Sequence, residues 1–269
     1  MPRSRLEVAS HGPDGGVAAQ ARGLLGELET RCGTGERYRQ CRRFLARHPV
    51  VHQQDRFGLS WSKAVWSRVK DLYGPLPESL LVDDVFLRCA SCGLPALTRD
   101  GAMPVPGPSA TDADLWCEGE ECPRDAPPAL IREPDQAWIL RRSLRAFLAL
   151  PYRTEDAARD ALDRAGIDHE PLPGSLSAYR LGDTDPVVVD IEVYDRLQPA
   201  LLAAHLADSA PLADRTLIVI PDALAGRNGY QEAFTAALFP FLRDRLTLTT
   251  PVNLVPDLRR ARREEKDDA

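Results

Sequence analysis

Four of the six cysteines fall in two short pairs, Cys89-x2-Cys92 and Cys117-x4-Cys122, separated by a Pro/Gly/Ser-rich insert. No other feature of the chain restricts its fold as strongly. Each pair closes through a tight turn, and two such turns present four soft thiolates in the tetrahedral arrangement that a structural zinc ion requires. Gly93, directly after the second cysteine, suits a knuckle whose backbone N–H groups point at sulfur. Protein side chains fill all four coordination positions, so none is open for a substrate or a catalytic water, and the expected site is structural. The alternative, two disulfides, needs an oxidising compartment.

Other stretches speak against that compartment. The residues MPRSRLEVASHGPDGG contain no apolar run long enough for a signal-peptide core. No stretch reaches the roughly 20 apolar residues of a membrane helix. A cytoplasmic protein with reduced cysteines and no membrane role is therefore expected. Cys32 and Cys41 have a spacing that matches no common metal loop, and read as small buried residues on helices. A net charge of −6 over 269 residues gives no global electrostatic case for nucleic-acid binding, although a local basic face survives that objection.

The pattern along the chain predicts an α/β protein with an amino-terminal helical unit, a four-cysteine zinc ribbon and a carboxy-terminal core with a mixed sheet. Residues 1–16 are polar and expected to be disordered. Residues 17–85 read as the helical unit: VAAQARGLLGELETRC, ERYRQCRRFLARHPV and WSKAVWSRVKDLY, the last with Ser60 as its N-cap. LLVDDVFLRC is a strand or hairpin into the first knuckle. Residues 86–125 form the ribbon, with DLWC a short strand, and residues 126–137 a Pro-rich linker. The second domain covers residues 138–265, followed by a tail over 266–269. Its expected elements are a helix in AWILRRSLRAFLALP, a helix capped by Thr154 and stopped by Gly166, and strands in IDHEPLP, SAYRLG and PVVVDIEVY. A helix in LQPALLAAHLAD, a buried strand in RTLIVIPD, a helix in GYQEAFTAALFPFLRDRL, a strand in LTLTT and a terminal helix complete it.

Several side chains invite a functional reading. Arg37, Arg39, Arg42, Arg43 and Arg47 give the second helix a basic surface, which is either a solvated face paired with glutamate or a phosphate-binding one. His48 and His52 flank Pro49, but the ribbon already has four ligands. His169 and His205 read as surface or boundary residues, and Asp222 as a turn former or helix cap. No Gly-rich phosphate loop occurs, which argues against an NTPase.

The string LRRSLRAFLALPYRTEDAARDALDRAGI, the hairpin AYRLGDTDPVVVDIEVYD, the LQPALLAAHL helix and the TLIVIPD strand resemble restriction-endonuclease-like proteins encoded beside prokaryotic PIWI proteins of the pPIWI-RE type. FLARHPV, AVWSRVKDLYGPLPESLLVDDV and the zinc ribbon fit the same resemblance. It implies a PD-(D/E)xK nuclease fold, and a place in a defence module with a PIWI-like protein and a helicase, acting on invading nucleic acid, with DNA the expected substrate. In that fold, an Asp on one hairpin strand and an Asp or Glu on the next bind Mg2+, a Lys two residues on activates water, and a helix Glu often assists.

Carried over position by position, Asp190 matches the second acid. Period-two geometry puts Glu192 on the same face, where the family has Lys. The family's Tyr-Asp-Leu stands here as Tyr179-Arg180-Leu181, and arginine repels a cation instead of ligating it. Glu155 is the candidate helix carboxylate, and no lysine occurs between Lys70 and Lys266. Two expectations follow: a degenerate, non-cleaving fold, or a variant Mg2+ site built from Glu155, Asp190 and Glu192. A third reading pairs the strand carboxylates with Arg180 on the neighbouring strand. A different class of function, a zinc-ribbon protein-interaction adaptor with no nuclease role, stays open beside these.

Overall fold

The computed structural model describes residues 16–57, 62–98, 103, 115–119, 128–172, 175–181, 189–208 and 215–268. Of the expected features, the disordered amino terminus up to residue 15, the Ser60 cap, Cys122 and the hairpin turn at residues 182–186 lie outside them. The chain divides into two compact units, Met1–Leu150 and Pro151–Ala269.

In the first unit, α1 (Gly16–Cys32) buries Ala18, Ala21, Leu25, Leu28 and Cys32, the three-and-four spacing of one helical face. Gly33, at φ 69°, turns the chain. Thr34 then caps α2 (Gly35–Arg47) by accepting the Arg37 N–H, and the helix buries Cys41, Phe44 and Leu45. A short strand β1 (Val50–His52) follows Pro49. The third helix, α3 (Lys63–Val69), is shorter than the sequence suggests: it tightens into a 3-10 turn, and Tyr73 opens strand β2 (Tyr73–Pro75).

The hairpin β3 (Leu81–Val82) and β4 (Val85–Arg88) turns on Asp83 and Asp84, both at positive φ, the backbone a two-residue hairpin loop needs. β4 also pairs with β5 (Pro95–Thr98) and β7 (Ala129–Ile131), and β5 pairs with β6 (Leu115–Cys117). Part of the expected linker is thus a strand of the ribbon sheet.

The segment AWILRRSLRAFLALP corrects the sequence reading most. Ala137–Leu140 is not helical but strand β8, the centre of a three-stranded antiparallel sheet, with Val50 opposite Ile139 and Tyr73 opposite Leu140. Pairing on both edges outweighs the local helical stripe. Helix resumes as a single turn, α4 (Arg142–Leu144), and a π-helical turn over Arg145–Ala149 whose five residues are all buried. These elements belong to the first unit, so the division falls after Leu150 and not near residue 138.

The second unit opens with α5 (Tyr152–Arg164), where Pro151, and not Thr154, holds the cap position. Gly166, at φ 66°, ends the helix. The strands β9 (His169–Pro171), β10 (Ala178–Leu181) and β11 (Val189–Val193) are antiparallel neighbours. After α6 (Pro199–Asp208), strand β12 (Arg215–Val219) runs parallel to β11. Next come α7 (Asp222–Ala225), with Asp222 in its first turn, and α8 (Tyr230–Ala237). The long helix expected after Gly229 breaks at Pro240, which starts α9 (Pro240–Arg243), because the residue before proline is driven to extended backbone. Strand β13 (Leu246–Thr249), parallel to β12, and α10 (Leu254–Asp268) close the unit; helix continues over the expected tail up to Asp268.

The mixed sheet has the order β13-β12-β11-β10-β9. One face carries Tyr179, Leu181, Val189, Ile191, Val193, Leu217 and Val219 against Ala158 and Leu162 of α5 and Leu254 and Leu258 of α10. The other places Ile218 and Ile220 against Leu202 and Leu206 of α6 and Phe234 of α8. Side chains alternate across a strand, so these two sets fix which face every other residue of β10 and β11 takes.

Candidate functional site

In the first unit, Cys89 follows β4, Cys92 lies in the turn before β5, and Cys117 ends β6. Backbone bonds from Cys89 N–H to Leu94 O and from Gly93 N–H to Cys89 O, each 2.9 Å, close the first knuckle. Gly93 sits at φ 73°, so the backbone favours glycine, whereas a Cβ there would meet Pro49 only at an ordinary contact of 3.4 Å. The three sulfurs lie within 4.8 Å of one another. Cys92 Sγ and Cys117 Sγ are 3.3 Å apart, well beyond the roughly 2.05 Å of a disulfide. The Gly119 N–H donates to Cys117 Sγ at 3.2 Å, the contact that stabilises a thiolate. Three soft sulfur donors with such a contact form a group able to hold a metal ion. Neither His48 nor His52 joins them; His52 is buried, and its Nδ1 accepts the Gln54 N–H at 3.2 Å.

Directly after Cys117, Glu118 is buried and meets a buried arginine that sequence inspection misses. Arg145 donates from Nε and Nη2 to the two Glu118 oxygens at 2.9 and 3.0 Å, and from Nη1 to Leu140 O at 2.7 Å. This bidentate pair ties the second knuckle to the π-helical turn. Burial, the larger effect, pushes the Glu118 carboxyl up, and the Arg145 guanidinium opposes it.

In the second unit, Arg180 lies directly opposite Asp190 in the β10–β11 register. Arg180 Nε and Nη2 reach the two Asp190 oxygens at 3.2 and 3.4 Å. The Asp190 side chain is 3% exposed and that of Arg180 50% exposed, so the carboxylate is buried beneath a guanidinium that still faces solvent. The hydrogen bond to Asp190 holds the guanidinium above its ordinary range. Glu192 shares the face of Asp190 and accepts the Tyr194 hydroxyl at 2.6 Å.

Glu155 is elsewhere. It is buried on α5 and accepts hydrogen bonds from the Tyr179 hydroxyl and from Ser177 Oγ, the latter at 3.2 Å. Tyr179 opposes Ile191 and packs in the core beneath α5. Its face of the sheet is therefore the one opposite Arg180 and Asp190. The structure brings Asp190 and Glu192 onto one face and leaves Glu155 on the other. Among the described residues, Glu155, Asp190 and Glu192 do not form a group with ligand atoms within 4.8 Å of one another, whereas the three cysteines do. His169 and His205 lie edge-on to Tyr179 and Tyr194 at 5.8 and 5.6 Å, and His169 Nδ1 is also 3.2 Å from Ile167 O.

Chemically, the hairpin face offers two carboxylates: Asp190, with both oxygens engaged by arginine, and Glu192, which accepts the Tyr194 hydroxyl. Mg2+ takes octahedral oxygen ligands and would have to displace a like-charged guanidinium. Beside the carboxylates, the half-exposed Arg180 guanidinium keeps N–H groups outside its Nε and Nη2 contacts with Asp190, and an oxyanion such as phosphate can accept from those.

Residues 153–266 match the family model pPIWI_RE_REase, described as REase associating with pPIWI_RE. The matched span starts inside α5 and ends inside α10, and the ribbon lies outside it. No curated protein and no solved structure matches the chain. Among the described residues, no helix is long and apolar enough to cross a membrane.

Proposed function

We propose that this chain, whose residues 153–266 belong to the restriction-endonuclease-like family associated with pPIWI_RE, is a nucleic-acid-binding component of a PIWI-linked defence module and does not itself cleave. The observation that carries this reading is the Arg180–Asp190 pair. An arginine in place of the metal-binding Asp neutralises Asp190 and offers its exposed edge to a backbone phosphate. The guanidinium thus takes over the charge that a metal would supply, without generating a nucleophile. The expected module partners are a PIWI-like protein and a helicase, and DNA is the expected ligand.

The first unit supports binding through a basic helical face. On α2, Arg39, Arg43 and Arg47 recur every four residues and are all exposed, which aligns them along one helical face. Arg39 pairs with Glu36 at 2.9 Å, and that pair is itself solvent-exposed and so exchangeable. Zinc held by Cys89, Cys92, Cys117 and Cys122 would cross-link the ribbon; such an ion supplies folding energy and no reaction step.

The test uses the purified full chain with duplex and single-stranded DNA in Mg2+ or Mn2+. Salt-dependent binding without cleavage is expected, with Arg180→Ala weakening binding uniformly across sequences. Metal-dependent cleavage that disappears in Asp190→Ala would overturn the reading. Absence of binding at moderate salt would favour the protein-interaction adaptor instead.

A further inference from the structure

The second unit carries a crevice that the hairpin face does not use. Chain leaves β12 toward α7 and α8, which lie on the sheet face covered by α6. Chain leaves the adjacent strand β13 toward α10, which covers the opposite face with α5. Where neighbouring parallel strands send their connections to opposite faces, a crevice opens outside their carboxyl ends, and ligands of α/β sheets bind there. A cavity of about 250 Å3 occupies this place, lined by Ile220, Tyr230 and Gln231 from the first exit and by Thr249, Asp257 and Arg260 from the second.

Its lining is built, not incidental. Thr249 is buried and donates from Oγ1 to Asp257 Oδ2 at 2.8 Å, which fixes the carboxylate. Asp257 Oδ1 faces Arg260 Nη1 at 3.4 Å. The Arg260 side chain is 66% exposed, so it can turn from Asp257 to another anion. Tyr230 is buried with its hydroxyl already spent on Arg196 O at 2.5 Å, so with Ile220 it offers mainly a flat apolar wall. The volume lies just below the roughly 300–1,000 Å3 of clefts that enclose drug-sized molecules, so it takes one end of such a ligand and leaves the rest at the mouth beside Arg260.

This combination selects against simple ions. Asp257 repels a bare anion, and a lone carboxylate is too few ligands for Mg2+ or Ca2+. A ligand that fits must bring hydrogen-bond donors for Asp257 and Gln231, an apolar face for Ile220 and Tyr230, and an anion for Arg260 at the mouth. A nucleotide has all three: hydroxyl or amino donors, a flat base and a phosphate. We infer that the crevice between the exits of β12 and β13 binds a single nucleotide, either free or at the end of a strand.

Isothermal titration of the full chain with AMP, GMP, CMP and UMP and their nucleosides, and with a short oligonucleotide bearing a 5′-phosphate or a 5′-hydroxyl, tests this. At least one of these probes binds, and Asp257→Asn weakens it tenfold or more. Arg260→Ala weakens the phosphorylated probe by a similar factor but leaves the matching unphosphorylated nucleoside unchanged. Binding of a mononucleotide identifies the free molecule as the source; binding of phosphorylated ends alone identifies a strand terminus. Asp257 also sits in the first turn of α10, so if its variant fails to fold, the exposed Gln231→Ala and Arg260→Ala variants decide the matter. No binding by any probe, binding unchanged in the variants, or equal affinity for inorganic phosphate overturns the inference.

Discussion

Arg180 and Asp190 face each other across two strands, and the sign of one residue decides what the pair can do. Introducing the pattern that the resemblance implies, Arg180→Asp with Glu192→Lys, would put two carboxylates and a lysine on one sheet face. The double variant is expected to gain Mg2+ binding, read by titration calorimetry, and the native chain to show none. If the double variant gains no affinity for Mg2+, a Mg2+ site on this face needs more than these two positions. Other single residues titrate or react in ways the fold dictates. Burial, helped by the Arg47 and Arg88 charges and opposed by Asp55, pushes the His48 imidazole below its ordinary 6.5. A histidine held neutral in the folded state stabilises above its unfolded pKa, and that contribution is lost as pH falls through the lowered folded value. Urea unfolding at pH 7.5 and pH 5.5 should therefore show a pH-dependent loss that His48→Gln reduces; an equal loss in the variant would place its origin elsewhere. Cys41 is buried, and burial with a hydrogen bond to Cys32 pushes its thiol up to about 12. Alkylation of the native protein at pH 8 followed by mass spectrometry should leave Cys41 unlabelled until denaturant is added.

Elements show why some of this is legible in the sequence and some is not. The alternation in VVVDIEV marks β11 as a strand and places Asp190 and Glu192 on one face, because period two is a local property. The cysteine spacing likewise anticipates the convergence of Cys89, Cys92 and Cys117. Glu155 is legible as a helix carboxylate, but the side of the sheet that α5 takes depends on packing against Ile191 and Leu217, remote in sequence. Strand β8 escapes a local reading for the same reason: its partners, Val50–His52 and Tyr73–Pro75, are about sixty to ninety residues upstream. Arg145 has no local signature either, since its partner Glu118 lies in the ribbon. That ion pair makes a prediction at the scale of the π-helical turn. Removing one member of a buried pair leaves an uncompensated charge and costs about 3–5 kcal/mol, whereas replacing both with apolar residues recovers much of the loss. Glu118→Ala should lower the urea midpoint sharply, and Glu118→Leu with Arg145→Met should restore part of it; a double variant no better than the single would mean that the pair's geometry, not its charge, holds the turn.

At the scale of the molecule, the ribbon and the core that matches the pPIWI_RE_REase model lie in different compact units, because chain contacts change partners after Leu150. The cysteines belong wholly to the first unit, and the mixed sheet with its two helical layers belongs wholly to the second. A metal that joins two knuckles stabilises the unit holding them, since the unfolded chain offers no preformed site. Stripping metal with a strong chelator should therefore lower one calorimetric transition of the full chain, while a fragment of residues 151–269 unfolds at the same temperature with or without chelator. The second unit has the means to fold alone: its strands pair among themselves, and both sheet faces are covered by its own helices. Loss of Cys89 or Cys122 by substitution with serine should reproduce the chelator's effect on the first transition, which separates metal removal from chelator side effects. A chelator-induced shift in the isolated fragment, or none in the full chain, would remove the ribbon's role as the cross-link of the first unit.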